Sequence, residues 1–345
     1  MAYSTISKPE LYFNTKLYTG DGSTSNSITG VGFQPDWIWI KKRNSSASHR
    51  LVDSIRGVQK HLASDNTNAD VTQNSVMSFD TDGFTVGDSA GTNGSSDTFA
   101  SWNWLASGST ASNSDGSINS TVSVNTTAGF SIVSYTGTGS AGTIGHGLGA
   151  VPKWYFVKRR DAGTSNWHVY HAGNAATQDI RLNLAEAAFT TDIWNDTAPT
   201  STVFNVKTSV DVNASSGTYI AYCFAEKKGF SKFGSYTGNG NADGTFVYTG
   251  FKPAWVMIKC TSHSGNNWVI VDNKREGFNP DNDRLYADST TTESDTDVID
   301  LLSNGFKNRF TGGTSNGTSK SYIYMAFAEE PLVANVGLSI PATAR

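Results

Sequence analysis

The sequence predicts an all-β protein of three tandem antiparallel β-sandwich modules, jelly-roll or lectin-like in kind. Aromatic residues make up 12% of the 345 residues and charged residues only 16%. Disordered chains show the opposite balance, so this chain should fold. Short runs of aromatic and β-branched residues alternate with turns rich in Gly, Ser and Asn, which is typical of antiparallel sheets. The third observation behind the prediction is an internal repeat.

The repeat consists of landmarks at fixed spacing. A Tyr-Thr-Gly tripeptide is followed by a proline 17 residues after its tyrosine, and a tryptophan comes two residues after the proline. Recurrence at a fixed period indicates tandem structural units. We therefore expect nine residues to form the repeated structural core: Tyr18, Pro35, Trp37, Tyr135, Pro152, Trp154, Tyr236, Pro253 and Trp255.

The tryptophan opens a short, wholly apolar run in each repeat, at 37–40, 154–157 and 255–258. Such a run predicts a strand that is covered on both faces. The preceding proline suits the first position of a strand, where its missing N–H costs little. We expect each copy to bury this strand in the interior of its own module.

Further strands are predicted after the polar loops. A second strand recurs at 50–53, 167–170 and 268–271, and a closing strand at 99–102, 219–222 and 322–325. Their spacing favours sandwich or jelly-roll modules. Helix is scarce, and only Asp179 to Ala188 shows modest helical character.

These elements divide the chain into modules and connections. The first connection is rich in Ser, Thr, Asn and Gly and predicts a flexible spacer with a short strand at 120–124, whereas the second has only four residues. Modules 2 and 3 should therefore pack as a rigid pair, with module 1 free to sit differently. The predicted boundaries are 1–12 (docking arm), 13–104 (module 1), 105–129 (linker), 130–225 (module 2), 226–229 (short linker), 230–330 (module 3) and 331–345 (tail).

Charge and hydropathy argue against two classes of partner. The net charge is -4, and the basic runs 41–43 and 158–160 simply end apolar strands, so nucleic acid is not expected as a partner. No apolar run reaches the eighteen or more residues of a membrane span, so membrane insertion is not expected. The N-terminus lacks the basic and apolar regions of a secretory signal. Cys223 and Cys260 lie in different repeats and favour buried free thiols in a reducing cytoplasm.

Three local patterns suggest ligand chemistry, and each has a plainer explanation. Residues 137–142 match the dinucleotide pattern G-x-G-x-x-G, but no helix can follow them, and equivalent segments in the other repeats favour a hairpin loop. His168 and His171 are three apart and face opposite sides of a strand, so they cannot share a zinc ion. Residues 281–283 with Asp288 could supply oxygen ligands to calcium, although a solvated turn is the default. We expect no cofactor and no metal.

No catalytic constellation stands out. The acids are scattered through loops, no Asp or Glu pair recurs at fixed spacing, and there is no G-x-S-x-G elbow. We therefore expect a protein that is not an enzyme. Exposed aromatic residues can stack on sugars or anchor interfaces. Trp167 and Trp268 recur at equivalent positions and should be core, which leaves Trp104, beside the polar linker, as the candidate ligand-binding residue.

Five longer segments carry a further similarity: 12–20, 32–41, 194–201, 219–226 and 341–345. They resemble a module common in structural proteins of tailed bacteriophages, especially marine ones. Proteins of that family are virion structural or tail-fibre-like components. The resemblance therefore implies a component of the virion, assembled in the host cytoplasm, and it brings no catalytic residues with it.

Together these observations predict a phage virion structural protein that is tail-associated, as a fibre, spike or adhesion component. Its partners would be neighbouring virion proteins and a host cell-surface glycan, and repeated weak sites would give avidity. We expect a homo-oligomer, with a trimer as the usual state of fibres. The alternative is a capsid decoration or head-fibre protein, and a glycan depolymerase is less favoured.

Overall fold

The prediction of an antiparallel all-β fold is confirmed by a computed structural model, which describes residues 4–276, 279 and 282–332. Three stretches of the chain, which we call modules 1, 2 and 3 with the boundaries given above, repeat one order of strands. In module 1 the elements are Phe13–Thr19 (β1), Asn26–Thr29 (β2), Trp37–Lys42 (β3), Arg50–Asp53 (β4), Lys60–His61 (β5), Val71–Thr72 (β6), Val76–Asp80 (β7), Gly83–Val86 (β8), the helical turn Ala90–Asn93 (α1) and Thr98–Trp104 (β9).

Two strands precede module 2, Ala111–Asn113 (β10) and Ser120–Asn125 (β11). Module 2 itself holds Phe130–Thr136 (β12), Gly142–Gly145 (β13), Trp154–Arg159 (β14), Trp167–His171 (β15), Gln178–Arg181 (β16), Phe189–Thr190 (β17), Val203–Val206 (β18), the helical turn Val210–Asn213 (α2) and Thr218–Phe224 (β19). Module 3 holds Ser231–Thr237 (β20), Phe246–Tyr248 (β21), Phe251–Cys260 (β22), Val269–Asp272 (β23), Leu285–Tyr286 (β24), Ile299–Leu302 (β25), Gly305–Asn308 (β26) and Ser321–Pro331 (β27).

Each module packs a larger sheet against a smaller one. The larger sheets have the orders β1-β9-β3-β4, β12-β19-β14-β15-β16-β17 and β20-β27-β22-β23-β24, and the smaller ones β2-β8-β7, β13-β18 and β21-β26-β25. The two sheets of a module enclose an apolar cluster of their own, which we call the module core. Face-to-face packing of antiparallel sheets around such a cluster is a β-sandwich.

The other face of each larger sheet packs into a fourth cluster that all three modules share, the central core. In β3, Ile38 and Ile40 enter the core of module 1, whereas Trp37 and Trp39 enter the central core. Side chains alternate between the two faces of a strand, so one apolar run serves two cores. The sequence correctly indicated a strand covered on both faces. The expectation that each module would bury its tryptophan in its own interior is wrong, because Trp37, Trp154 and Trp255 all lie in the central core.

Residues 105–129 differ from the flexible spacer expected of their composition. β11 pairs with β12, and β10 pairs with β11, so the segment extends the larger sheet of module 2. The N-terminal segment is also integral to the fold, since Ile6 lies in the central core and the ring of Tyr12 contacts Phe230 at 6.0 Å. The tail beyond Leu332 lies outside the described residues.

Two local expectations also fail. Asp179 to Ala188 is not helical: Gln178–Arg181 forms β16, because pairing with β15 overrides a weak helical propensity. Pro253 does not precede its strand but lies inside β22, next to shifts in register where a missing N–H is tolerated.

Candidate functional site

The predicted repeat residues hold the modules together in one geometry. The ring of Tyr18 stacks on Phe99 with centroids 5.0 Å apart, and its hydroxyl donates to the backbone oxygen of Thr92 at 2.8 Å. Tyr135 and Tyr236 stack in the same way, at 5.0 Å, on Tyr219 and Tyr322. Each tyrosine thus ties the first strand of its module to the closing strand and to the turn before it. Pro35, Pro152 and Pro253 are buried.

The G-x-G-x-x-G segment is a clamped hairpin loop. The side-chain oxygen of Asn213 accepts from the backbone N–H of Thr138 at 2.8 Å, and the N–H of Gly139 donates to the backbone oxygen of Asn213 at 2.8 Å. Asn93 and Asn316 hold the loops of the other two modules through the same pair of bonds. Gly139 has φ +77°, and a Cβ at Gly137 would collide with the carbonyl oxygen of Ala214. These glycines therefore serve a tight turn and a close backbone approach.

A buried lysine lies one residue before the end of the tryptophan strand in each module and reaches into a neighbouring module. Burial lowers the pKa of each of these lysines to about 8. Each Nζ donates to one backbone oxygen of its own module and to one of a neighbour. The bonds to a neighbour are Lys41 to Thr290 (3.0 Å), Lys158 to Thr67 (2.9 Å) and Lys259 to Leu184 (3.3 Å).

A second set of contacts follows the same cyclic order. The ring nitrogen Nε2 of His49 lies 2.9 Å from the backbone oxygen of Tyr286, while Trp167 and Trp268 donate from Nε1 to Ala63 and Arg181 at 2.8 and 2.9 Å. Trp39 donates to Nδ1 of His49, so the proton of the neutral ring is on Nε2. Side chains of module 1 thus bond to the backbone of module 3, those of module 3 to module 2, and those of module 2 to module 1. Head-to-tail interfaces that return to their origin form a closed ring.

Two of the three interfaces carry a buried ionic network. Between modules 1 and 2, Asp53 accepts from Arg56 at 2.5 Å and from the hydroxyl of Tyr222 at 2.7 Å, and Asp70 bridges Arg56 and Arg160 at 2.9 Å each. Between modules 3 and 1, the corresponding residues are Asp272, Arg275, Trp102, Glu293 and Arg43. Burial favours the neutral acid at Glu293, but the two arginines outweigh it and lower the pKa to about 2.

The interface between modules 2 and 3 lacks this network in the described part of the chain, and all five positions differ. The residues at the corresponding positions are identified by strand pairing. They are also identified by the backbone bond from Ala188 N–H to Thr261, which is equivalent to the bond from Asp70 N–H to Arg160. They are His171, Asn174, Ala188, Thr261 and Met325. Because no acid is buried here, no arginine is needed to compensate it.

The histidines lie on opposite faces of β15. His168 contacts Asp179 at 2.6 Å through Nδ1 and Asp211 at 3.2 Å through Nε2. Burial would lower the pKa of His168, but the two carboxylates outweigh it and raise the pKa to about 9. His171 instead packs against the ring of Trp154 at 5.0 Å, and burial lowers its pKa to about 3.

The candidate calcium ligands have other partners. The side-chain amide of Asn282 donates to the backbone oxygen of Ile299, and Asp288 accepts from the N–H of Trp268 at 3.0 Å. Burial and the neighbouring Glu293 raise the pKa of Asp283 to about 7. Asp281 lies outside the described residues. Within the described chain, no group of three or more potential metal-ligating side chains is found.

Trp104 is not a surface residue. It is 1% exposed, lies in the central core and stacks on Trp37 with ring centroids 4.3 Å apart. Its neighbour Leu105 leads into a segment that pairs with module 2, so no flexible linker exposes the ring. Trp167 and Trp268, expected to be core, are both fully buried. Cys223 and Cys260 are buried free thiols in the cores of modules 2 and 3.

The candidate binding site is a polar groove where β11 pairs with β12, which sequence reasoning missed because it placed a linker there. The groove has a volume of about 480 Å³. Thr121 and Thr136 are exposed on it, and the buried residue Tyr135 also borders it. The other lining side chains are Ser, Thr, Asn or Ile, so the groove offers hydroxyl and amide groups that suit the hydrogen bonds of a neutral polar ligand.

The fold is that of an antiparallel β-sandwich protein, in which three larger sheets pack their aromatic faces into one central core. A family model matches residues 8–331, and the chain belongs to that family, the domain of unknown function DUF7483. Comparison with curated proteins and with solved structures found no significant match. Among the described residues, no helix is long and apolar enough to cross a membrane.

Proposed function

We propose that the protein is a structural component on the surface of a tailed-bacteriophage particle, associated with the tail, where it binds a host glycan or a neighbouring virion protein. The observation that carries this proposal is the closed ring of modules. Buried lysines, indole groups and ion pairs fix all three modules against one another, which suits a rigid display platform. The likeness to phage structural proteins over much of the sequence supports the same assignment.

The groove between β11 and β12 is the binding surface in this proposal. Hydroxyl and amide groups can donate to and accept from sugar hydroxyls, and no carboxylate lines the groove to act as an acid or base. An exposed aromatic pair on β21, Phe246 and Tyr248, offers a second contact surface for a sugar ring or a protein partner.

The location on the particle is tested by quantitative mass spectrometry of purified virions together with antibody labelling in electron micrographs. We expect a few to a few tens of copies per particle and label on the tail. Hundreds of copies with label over the head would indicate capsid decoration instead. Absence of the protein from purified particles would overturn the proposal.

Binding is tested with a substitution that fills the groove. Thr121→Trp should abolish adsorption of the purified protein to host cells or to their extracted polysaccharide. The matched control is Thr190→Trp, an exposed threonine on β17 at the opposite end of the same sheet, which should bind as wild type. Equal adsorption by both variants would exclude the groove, and release of reducing sugars from the polysaccharide would favour a depolymerase.

A further inference from the structure

A small pocket in module 1 is lined by basic and amide side chains. It has a volume of about 170 Å³ and is bordered by Arg50, His61, Asn66 and Asn68. Val71 and Gln73 are exposed at its rim, so the pocket opens to solvent. It is distinct from the hydroxyl-lined groove of module 2.

Two buried nitrogen atoms at this pocket have no hydrogen-bond partner. His61 is 3% exposed, and its Nδ1 is buried without a partner, as is Nε of Arg50. Nη1 of Arg50 donates to the backbone oxygens of Ser48 and His49 at 3.2 and 3.1 Å. Buried polar groups are nearly always hydrogen-bonded, so these exceptions require an explanation.

The charge of Arg50 is also only partly neutralised by its surroundings. Within the described chain, no carboxylate lies within ion-pair distance of its guanidinium. The acid that acts on it is Asp65, whose Oδ1 accepts from the backbone N–H of His49 at 3.1 Å. Lys41 faces the same carboxylate, so Asp65 does not neutralise Arg50 alone.

Module 2 shows how the same position is neutralised from within. The bridge between Leu51 and Leu62 corresponds to the pair Val169 and Ile180, so Arg50 corresponds to His168 and His61 to Asp179. The asparagines that end the helical turns α1 and α2 align in the same way, so Gly91 corresponds to Asp211.

Module 2 therefore pairs its cation with two carboxylates, and module 1 has neither of them. His61 replaces one acid, and Gly91 replaces the other. A Cβ at Gly91 would lie 3.0 Å from Nη2 of Arg50, so a side chain at this position would face the guanidinium directly. Burial, Arg50 and Arg56 lower the pKa of His61 to about 3, which agrees with a site that has an excess of positive charge.

We propose that this pocket binds a small oxyanion, a carboxylate, phosphate or sulfate group, which takes the place of the two missing carboxylates. Arg50 donates charge-assisted hydrogen bonds to the anion, and the ring of His61 and the amides of Asn66 and Asn68 complete its contacts. The loop that carries the asparagines is fixed before binding, since Ser64 donates to Ala287 at 2.6 Å and Thr67 accepts from Lys158 at 2.9 Å. A preformed loop lowers the cost of ordering the site.

The test is titration of the full chain with acetate, inorganic phosphate or sulfate at constant ionic strength, followed by thermal melting and calorimetry. A ligand that binds only the folded state raises the melting temperature in a saturable way. We expect such a rise with at least one anion and one site per chain. A response to acetate assigns a carboxylate, and a response to phosphate or sulfate assigns a tetrahedral group.

Two variants separate binding from folding. Arg50→Gln should abolish the rise. Gly91→Asp should abolish it too while melting at or above the wild-type temperature in anion-free buffer, because the new carboxylate pairs with Arg50 internally. The control Lys60→Gln removes an exposed charge next to His61 and should keep full binding. No saturable response in the wild type, or equal binding by Gly91→Asp, would overturn the proposal.

Discussion

Asp53 and Asp272 are fully buried carboxylates, and each is paired with an arginine three residues later in the chain. Each also accepts a bond from an aromatic side chain of a neighbouring module, Tyr222 or Trp102. A buried charge is tolerated only when it is compensated, and removing one partner leaves the other unpaired. These single residues therefore couple the modules as well as their own turns.

We predict that Asp53→Asn lowers the free energy of unfolding by about 3–5 kcal/mol, because Arg56 loses its closest counter-charge at a fully buried site. Urea unfolding followed by tryptophan fluorescence measures the change. The control Asp161→Asn removes the carboxylate of a surface pair, whose side chain is 38% exposed, and should cost at most about 1 kcal/mol. Equal losses in both variants would show that the buried network does not stabilise the ring.

The two histidines of β15 should respond to pH in opposite directions. The pKa of His168 is raised to about 9, so its contribution to stability is complete below the unfolded pKa of about 6.5 and is lost as the pH rises toward 9. The pKa of His171 is lowered to about 3, so stability is lost as the pH falls below about 6.5. Urea unfolding of wild type, His168→Gln and His171→Gln from pH 5 to 9 measures each histidine as a difference between wild type and variant, in which the contributions of the lysines with pKa about 8 cancel. The difference for His168→Gln should shrink as the pH rises from 6.5 to 9, and the difference for His171→Gln should shrink as the pH falls below 6.5.

At the scale of elements, the glycine of each Tyr-Thr-Gly lies so close to the backbone of another segment that a side chain there would clash with it. We predict that Gly137→Ala destabilises the protein by about 1–3 kcal/mol, because its Cβ would push against the backbone of Ala214 and part the loop from α2. Gly163→Ala is the control, since the nearest atom lies 3.9 Å away, and it should change stability by less than about 0.5 kcal/mol. Thermal melting of the two variants distinguishes these outcomes.

The elements that the sequence predicted well are those with a strong local pattern. The run at 37–40 and its counterparts are apolar at every position, and this alone indicates a strand covered on both faces. Periodicity cannot say which molecule, module or sheet covers each face. The tryptophan face therefore looked like the interior of its own module, although it packs against the other two.

The binding surfaces were harder to predict for a related reason. Three of the six residues of β11 are Ser or Thr, and the strand flanks a solvent-facing groove. The same composition is typical of a flexible spacer. The anion site at Arg50 is recognised only when His61 is compared with Asp179 and Gly91 with Asp211. Those correspondences follow from strand register, which loops of unequal length conceal in the sequence.

At the scale of the whole molecule, the central core makes the three modules one cooperative unit. Its aromatic residues come from every module: Trp37 packs on Tyr222 with centroids 4.3 Å apart, and Trp255 packs against Trp104 at 5.8 Å. Burial of each such side chain contributes about 1.5–3 kcal/mol. A module that leaves the ring exposes its part of this surface and removes the partners of the other two.

Chains of this length commonly unfold domain by domain, but the shared core predicts a different result for this protein. Scanning calorimetry should show one transition whose van't Hoff enthalpy equals the calorimetric enthalpy. The isolated fragment 105–229 should bind a hydrophobic dye and lose its near-ultraviolet circular dichroism, because Trp154, Phe156 and Phe224 lose their partners. Fragment 105–229 with native-like dichroism and a sharp transition of its own, or three resolved transitions in the full chain, would mean that each sandwich is stable alone. The cyclic contacts would then join finished domains rather than complete them.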